Sequence, residues 1–352
     1  MEIIPLLKRL SETPGLPGHE GPIRELIREL WTPLVDEMRE EGLGSLIALQ
    51  RGSGPEPRSK LMLAAHMDEI GLRVSGIEKG FLRVIRVGGT DRRVLPGTEV
   101  TVHGRQDLPG VVGMRPPHVV PKEEREKTVP WEKLFVDLGL PEEEIREKVR
   151  VGDPASFRRE LTELKGGMVS GKALDNRASV AALTLALERL HRTEHTWDVV
   201  AVATVQEEMG LYGAATSAYG VAPDLAVAVD VTLAKQAGVS DDQAFPLGEG
   251  PTIGLGPNFH PQVVERIKET AEAHEIPYHI EPTPGRSGTD AWAIQVSREG
   301  IPTGLISVPV RYVHQPVETG SVKDVERAGR LLAAFAIGLE ADFRPGWEDD
   351  TE

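Results

Sequence analysis

The 352-residue chain contains no cysteine, which excludes disulfides, thiol nucleophiles and structural zinc held by sulfur. Any metal here has to be held by histidine and carboxylate. No apolar run reaches the length of a membrane span. Residues 1–9 read as the start of an amphipathic helix rather than a signal peptide, so neither membrane nor export is expected and the cytoplasm is the predicted setting. Positive charge is also short: 40 Lys and Arg against 55 Asp and Glu give a formal charge of −15. That balance argues against nucleic acid as a partner, since backbone binding needs a basic surface. There is no internal repeat and no low-complexity segment. What remains is a globular composition, 39% hydrophobic and 27% charged, with chain enough for one large domain or two ordinary ones.

The most informative stretch is Val199-Val200-Ala201-Val202-Ala203-Thr204-Val205-Gln206-Glu207-Glu208-Met209-Gly210. A continuous run of small and β-branched residues reads as a strand buried on both faces of a parallel sheet. In open α/β sheets ligands lie beyond the carboxyl ends of such strands, and here that end carries two adjacent glutamates. Three further runs behave alike. Residues 61–65 lead into His66-Met67-Asp68-Glu69, residues 224–231 contain Asp230, and residues 303–310 are followed closely by His314. His66 and Asp68 share a face if the strand continues, and a carboxylate there can fix the histidine tautomer. On its own an H-x-D triplet is commonly an accidental pair. Asp175, before the apolar helix 178–191, reads on its own as an N-cap.

Helices are also predicted at 2–12, 22–40, 213–219, 262–274 and 322–340, with a frayed tail from 342. Between residues 69 and 166 the texture changes to short alternating segments at 81–87, 99–103, 110–114 and 155–158, divided by Gly and Pro, plus a short acidic helix at 141–149. This is the pattern of a small all-β barrel or sandwich. It is read as an insertion into an α/β domain made of residues 1–68 and 167–352. His103 and His118, inside it, are read as structural.

If the four strands are neighbours, His66, Asp68, Glu207, Glu208, Asp230 and His314 converge on one crevice, with Asp175 beside them. So many carboxylates would repel one another unless cations neutralised them. Two imidazoles plus acids, without sulfur, suit Zn²⁺, Co²⁺ or Mn²⁺ better than Mg²⁺ or Ca²⁺. A bridging carboxylate would make this a two-metal site.

At this point the chain resembles a known family. Ala65-His66-Met67-Asp68-Glu69-Ile70-Gly71, Lys172-Ala173-Leu174-Asp175-Asn176-Arg177, Gln206-Glu207-Glu208-Met209-Gly210-Leu211 and Arg311-Tyr312-Val313-His314 are similar to the motifs of the M42 aminopeptidases. So are Val112-Gly113-Met114-Arg115-Pro116-Pro117-His118 and Gly288-Thr289-Asp290-Ala291. These are dinuclear, TET-type metallopeptidases, some carrying an old endoglucanase label. The resemblance implies a zinc-peptidase-like mixed, largely parallel sheet flanked by helices. It also implies that the β insertion builds dimers, which in the family assemble into hollow dodecamers. It implies one divalent ion, Zn or Co with Mn as another option, on His66, Asp175 and Asp230, and a second on Asp175, Glu208 and His314. Asp175 then bridges rather than caps. Glu207 is implied as general base, Asp68 as the residue orienting His66, and peptides with a free N-terminus as substrates. The alternatives are a related dinuclear deacylase or carboxypeptidase, a glycoside hydrolase using paired acids, and an assembly protein with a vestigial site. Glycosidase carboxyls flank the scissile bond, which neighbouring Glu207 and Glu208 suit poorly.

Overall fold

The computed structural model describes residues 1–346; the rest of the predicted tail lies outside the described residues. The apolar runs form the centre of a mixed sheet. Asp198–Thr204, Lys60–His66, Leu225–Leu233 and Thr303–Arg311 lie side by side in that order and run parallel. All four are buried along most of their length, because helices cover both faces. Leu174–Leu190, Pro261–Ala273 and Val322–Ile337 pack on one side, Tyr212–Val221 and Asp290–Gln295 on the other.

Antiparallel strands extend this centre. Leu46–Gln50 and Glu37–Glu40 lie beyond Asp198–Thr204, while Glu318–Ser321, Met168–Gly171 and Thr162–Leu164 lie beyond Thr303–Arg311. Thr252–Leu255 branches from Thr303–Arg311 and carries His279–Pro282 on its far side. The helix predicted over 22–40 is shorter. It spans Gly21–Trp31, passes through a 3-10 turn at Thr32–Leu34 and gives way to the edge strand. Pro33 has no N–H to donate to a continuing helix.

The inserted region forms a closed six-stranded antiparallel barrel: Gly71–Glu78, Phe81–Val87, Phe135–Asp137, Asp107–Gly113, Glu99–His103 and Pro154–Phe157. Alternate residues point inward, so that Leu82, Val84, Val100, Val102, Val112 and Val136 build a core separate from that of the sheet. Two barrel strands escape sequence reading. Gly71–Glu78 is interrupted by a bulge between Val74 and Gly76, and Phe135–Asp137 is only three residues long. The acidic helix forms at Glu142–Lys148. Thr162–Leu164, read from sequence as part of the insertion, pairs in the large sheet instead.

Leu72 pairs with Ala155, so the chain enters and leaves the barrel on neighbouring strands. Just outside this crossing, Lys172 Nζ donates to both oxygens of Glu69 at 2.6 and 2.8 Å, with both side chains almost fully buried. Glu69 also accepts from the Gly15 N–H at 3.0 Å.

Candidate metal centre

The strand ends deliver their polar side chains to one basin. His66 is the last residue of its strand and Asp230 lies near the end of its own. Asp175 sits at the start of Leu174–Leu190 in non-helical backbone, followed by a cis peptide bond to Asn176. His314, with a φ of 62°, follows Thr303–Arg311. The two glutamates arrive on a turn rather than on the strand itself. The strand stops at Thr204, Gln206 takes a left-handed conformation, and Glu207 and Glu208 open a one-turn helix, Glu207–Gly210. Their directions therefore differ by about 100° rather than by half a turn.

Asp175 lies between the two histidines. One carboxylate oxygen is 3.2 Å from His66 Nε2 and the other 3.3 Å from His314 Nε2. Around His66 Nε2 stand Asp230 at 3.8 Å and Glu207 at 3.9 Å; Glu208 is 3.3 Å from His314 Nε2. Ligand atoms of His66, Glu207 and Asp230 lie within 4.8 Å of one another, as do those of Asp175, Glu208 and His314. The structure thus brings together every metal-ligand candidate named from sequence. His103 stays in the barrel, bonded to Asp107 and Ser156 at 2.8 Å each, and His118 lies on the exposed turn Pro117–Val119.

Asp68 acts through two groups. Its backbone carbonyl accepts from His66 Nδ1 at 3.1 Å, leaving Nε2 to face the basin. Its carboxylate stands off at 3.6 Å from that ring nitrogen and accepts instead from the N–H groups of Glu207 and Glu208, at 3.0 and 3.1 Å. The carboxylate clamps the glutamate turn, and the peptide oxygen sets the tautomer.

Two features escape the sequence, and a third, Asp290, stands in a motif read from it that carries no role there. Buried Glu318 accepts from the backbone N–H of Asp175 at 2.9 Å and of His314 at 3.1 Å, holding both chain segments. Asp290, buried at the start of Asp290–Gln295, accepts from Thr204 Oγ1 at 2.5 Å. Gly88 and Gly89, just past the barrel strand Phe81–Val87, press against the basin. A Cβ on Gly88 would crowd Glu208, and one on Gly89 would overlap the His314 ring. Only backbone fits there, and no sequence pattern announces it.

The electrostatics follow from burial. Desolvation pushes Glu207 up to about 10, helped by the charges of Asp230 and Asp290 against the pull of His66. Burial also raises Glu208, Asp230 and Glu318, and Asp290 to about 6. Asp175 goes the other way: burial would raise it, but hydrogen bonds from His314 and His66 hold it well below the usual carboxylate range. His314 is carried up to about 11 by Asp175 and Glu208. Burial would lower His66, yet Glu207, Asp175 and Asp68 take it well above its ordinary value. Among the described residues, no lysine or arginine reaches ion-pair distance of Asp175, Glu207, Glu208 or Asp230. A donor set of imidazole and carboxylate in two adjoining groups fits divalent cations such as zinc, which would meet this acid excess.

A sheet that gathers carboxylates and imidazoles at the ends of its parallel strands, beside a barrel, has the build of a metal-dependent hydrolase. The sequence profile of M42 glutamyl aminopeptidase matches residues 44–331, and the chain belongs to this family of metal-dependent aminopeptidases. It is 37% identical over 352 residues to the lysyl aminopeptidase of Pyrococcus furiosus, covering 97% of this chain and 99% of that one. Its structure is similar to that of the aminopeptidase APDkam598 from the archaeon Desulfurococcus kamchatkensis: TM-score 0.89, 40% identity, 96% of this chain and 95% of that one. It is also similar to the Pyrococcus horikoshii TET1 peptidase, which can assemble into a tetrahedron or a large octahedral shell: TM-score 0.85, 34% identity, 96% of this chain and all of that one. Among the described residues no helix is long and apolar enough to cross a membrane.

Proposed function

We propose that the chain is a dinuclear aminopeptidase that removes the N-terminal residue of peptides. In this reading His66, Asp175 and Asp230 hold one divalent ion, and Asp175, Glu208 and His314 hold the other. The observation that carries it is the division of the Asp175 carboxylate between two histidine rings, one oxygen to each. Zinc or cobalt suits the donors best, with manganese next. When bound, such ions supply Lewis acidity toward the scissile carbonyl and lower the pKa of water.

Glu207 is the general base. It takes the proton of the attacking water and hands it to the leaving amine. Asp68 is a positioning residue: its carboxylate holds the Glu207–Glu208 turn, and its carbonyl aims His66. Both glutamates hang from one turn fixed by one aspartate, which disfavours a glycosidase, whose carboxyls flank the sugar from separate sides. We assign the inserted barrel, whose strands run from Gly71 to Phe157, to assembly. The tetrahedral and octahedral assemblies of the TET1 relative support a homo-oligomer; in our reading it is built from dimers, with a dodecamer as one closed form, and works in the cytoplasm.

The test is hydrolysis of aminoacyl amides after chelation and metal return. Activity should vanish with chelator, return with Zn²⁺ or Co²⁺, and never appear on N-acetylated substrates. Chelator-resistant cleavage, or equal turnover of blocked substrates, would overturn the assignment.

A further inference from the structure

Strand Leu225–Leu233 continues past Asp230, and Thr232 falls on the same face two residues later, about 7 Å along the strand. Register carries that face sideways: Asp230 pairs with Ser307, and Ser307 pairs with Thr252. Above this patch lies Glu281, on the edge strand His279–Pro282. Its two oxygens accept from Thr232 Oγ1 at 2.7 Å and Thr252 Oγ1 at 2.6 Å. Two neutral hydroxyls orient the carboxylate and leave its charge uncompensated. Among the described residues no basic side chain makes an ion pair with Glu281, and Lys235, next along the same segment, is engaged by Asp241 at 3.3 Å. A carboxylate has roughly four lone-pair sites, and the threonines use two. Ser307 Oγ, wholly buried in the row between Asp230 and Thr252, has no hydrogen-bond partner.

A half-buried acid, fixed by hydroxyls and lacking a cation, thus holds the threonine two residues beyond a candidate metal ligand, over a polar floor. The step of about 7 Å along the strand from Asp230 to Thr232 is roughly the reach of the four-carbon stem of lysine, with the ammonium at its tip. We propose that Glu281 is the specificity-determining residue of a pocket for a cationic side chain, so that the enzyme prefers lysine or arginine as the N-terminal residue. This rests on the aminopeptidase reading above. A purely structural clip between strands would use the same threonine bonds but would not discriminate between substrates.

The experiment is kcat/KM for lysyl, arginyl, leucyl and glutamyl 4-nitroanilides with the full-length, metal-loaded chain. The wild type should favour lysyl and arginyl. Glu281→Gln should cut the lysyl-to-leucyl ratio by about tenfold or more, the scale of one charge-assisted hydrogen bond, with the loss carried mainly by KM. Glu281→Asp should recover part of the ratio. Inhibition of the wild type by lysinamide and norleucinamide, which share a stem but not an ammonium, needs no variant; lysinamide should bind more tightly. A wild type that turns over leucyl or glutamyl substrates and refuses lysyl overturns the pocket alone. So does a Glu281→Gln variant that loses all substrates equally, or equal inhibition by the two amides. Refusal of every free-amine substrate overturns the aminopeptidase reading and the pocket with it.

Discussion

The large sheet and the barrel use the same twenty amino acids to different ends. In the sheet, strands such as Lys60–His66 and Asp198–Thr204 are buried on both faces, and their polar residues are pushed to the ends. In the barrel, strands such as Asp107–Gly113 alternate inward and outward along their length, so their polar groups are spread around the outside. A buried parallel strand has one place to show chemistry; an alternating barrel strand has many and concentrates none. The barrel accordingly meets the basin with backbone at Gly88 and Gly89, where a Cβ would collide with Glu208 and His314.

That division can be broken or sharpened by experiment. The largest effect should come from the sheet side. Glu207→Gln should lower kcat by about 10²–10⁴-fold while metal analysis still finds both ions. If metal is lost instead, Glu207 is a ligand and the two glutamates exchange roles.

Gly89→Ala comes next and probes the barrel's approach. Its methyl group overlaps the His314 ring, so the ring must move away from Asp175 and Glu208. A loss of about one metal equivalent, seen by titration, is expected with a fall in rate of at least about tenfold. Unchanged metal binding would mean that the barrel can give way at no cost.

A third test is pH. Glu207 titrates at about 10 in the folded protein against an ordinary 4.5, and His314 at about 11 against 6.5. Groups raised in this way stabilise the fold fully below their unfolded values and lose that contribution as pH climbs through the folded ones. Glu208, Asp230 and Glu318 act in the same sense, while Asp175, which is depressed below its ordinary 3.8, changes its contribution only in acid, outside this range. The metal-free chain should therefore lose stability from about pH 5 to about pH 9, and the rise in Tm on adding Zn²⁺ should grow over that interval. A rise that shrinks with pH would contradict these directions.

The smallest effect on catalysis should come from the barrel core. Leu82→Ala removes a fully buried side chain and should cost about 2–5 kcal/mol in denaturant unfolding, with kcat per folded, metal-loaded chain changed less than about twofold. A collapse in kcat would show that barrel packing reaches the chemistry.

Much of this was legible in the sequence because burial on both faces leaves an unbroken apolar run. The strands ending near His66, Glu207, Asp230 and His314 announce themselves that way, and the residues past their ends follow at once. Alternation likewise marked Phe81–Val87 and Glu99–His103. What stayed hidden was set by contacts distant in sequence. Glu318 holds Asp175 from 143 residues away, and nothing local to Gln315-Pro316-Val317 says so. The four-residue strands Thr252–Leu255, His279–Pro282 and Glu318–Ser321 are too short to show a period. The turn at Glu207 leaves no mark in the sequence, because the apolar run continues through Val205, past the last strand residue. The Asp68 carboxylate was assigned to the nearest histidine in sequence, when its partners are amides 139 and 140 residues on.

The pairing of Leu72 with Ala155 has a constructional consequence. Where a guest segment begins and ends on adjacent strands, the host does not need the guest to bridge any distance. Replacing Gly71–Phe157 by a few flexible residues should thus preserve the host's strand order and the Lys172–Glu69 tie beneath it. Such a trimmed enzyme would have His314 without its glycine backing and the basin open on one flank, separating what the guest lends to chemistry from what it lends to assembly.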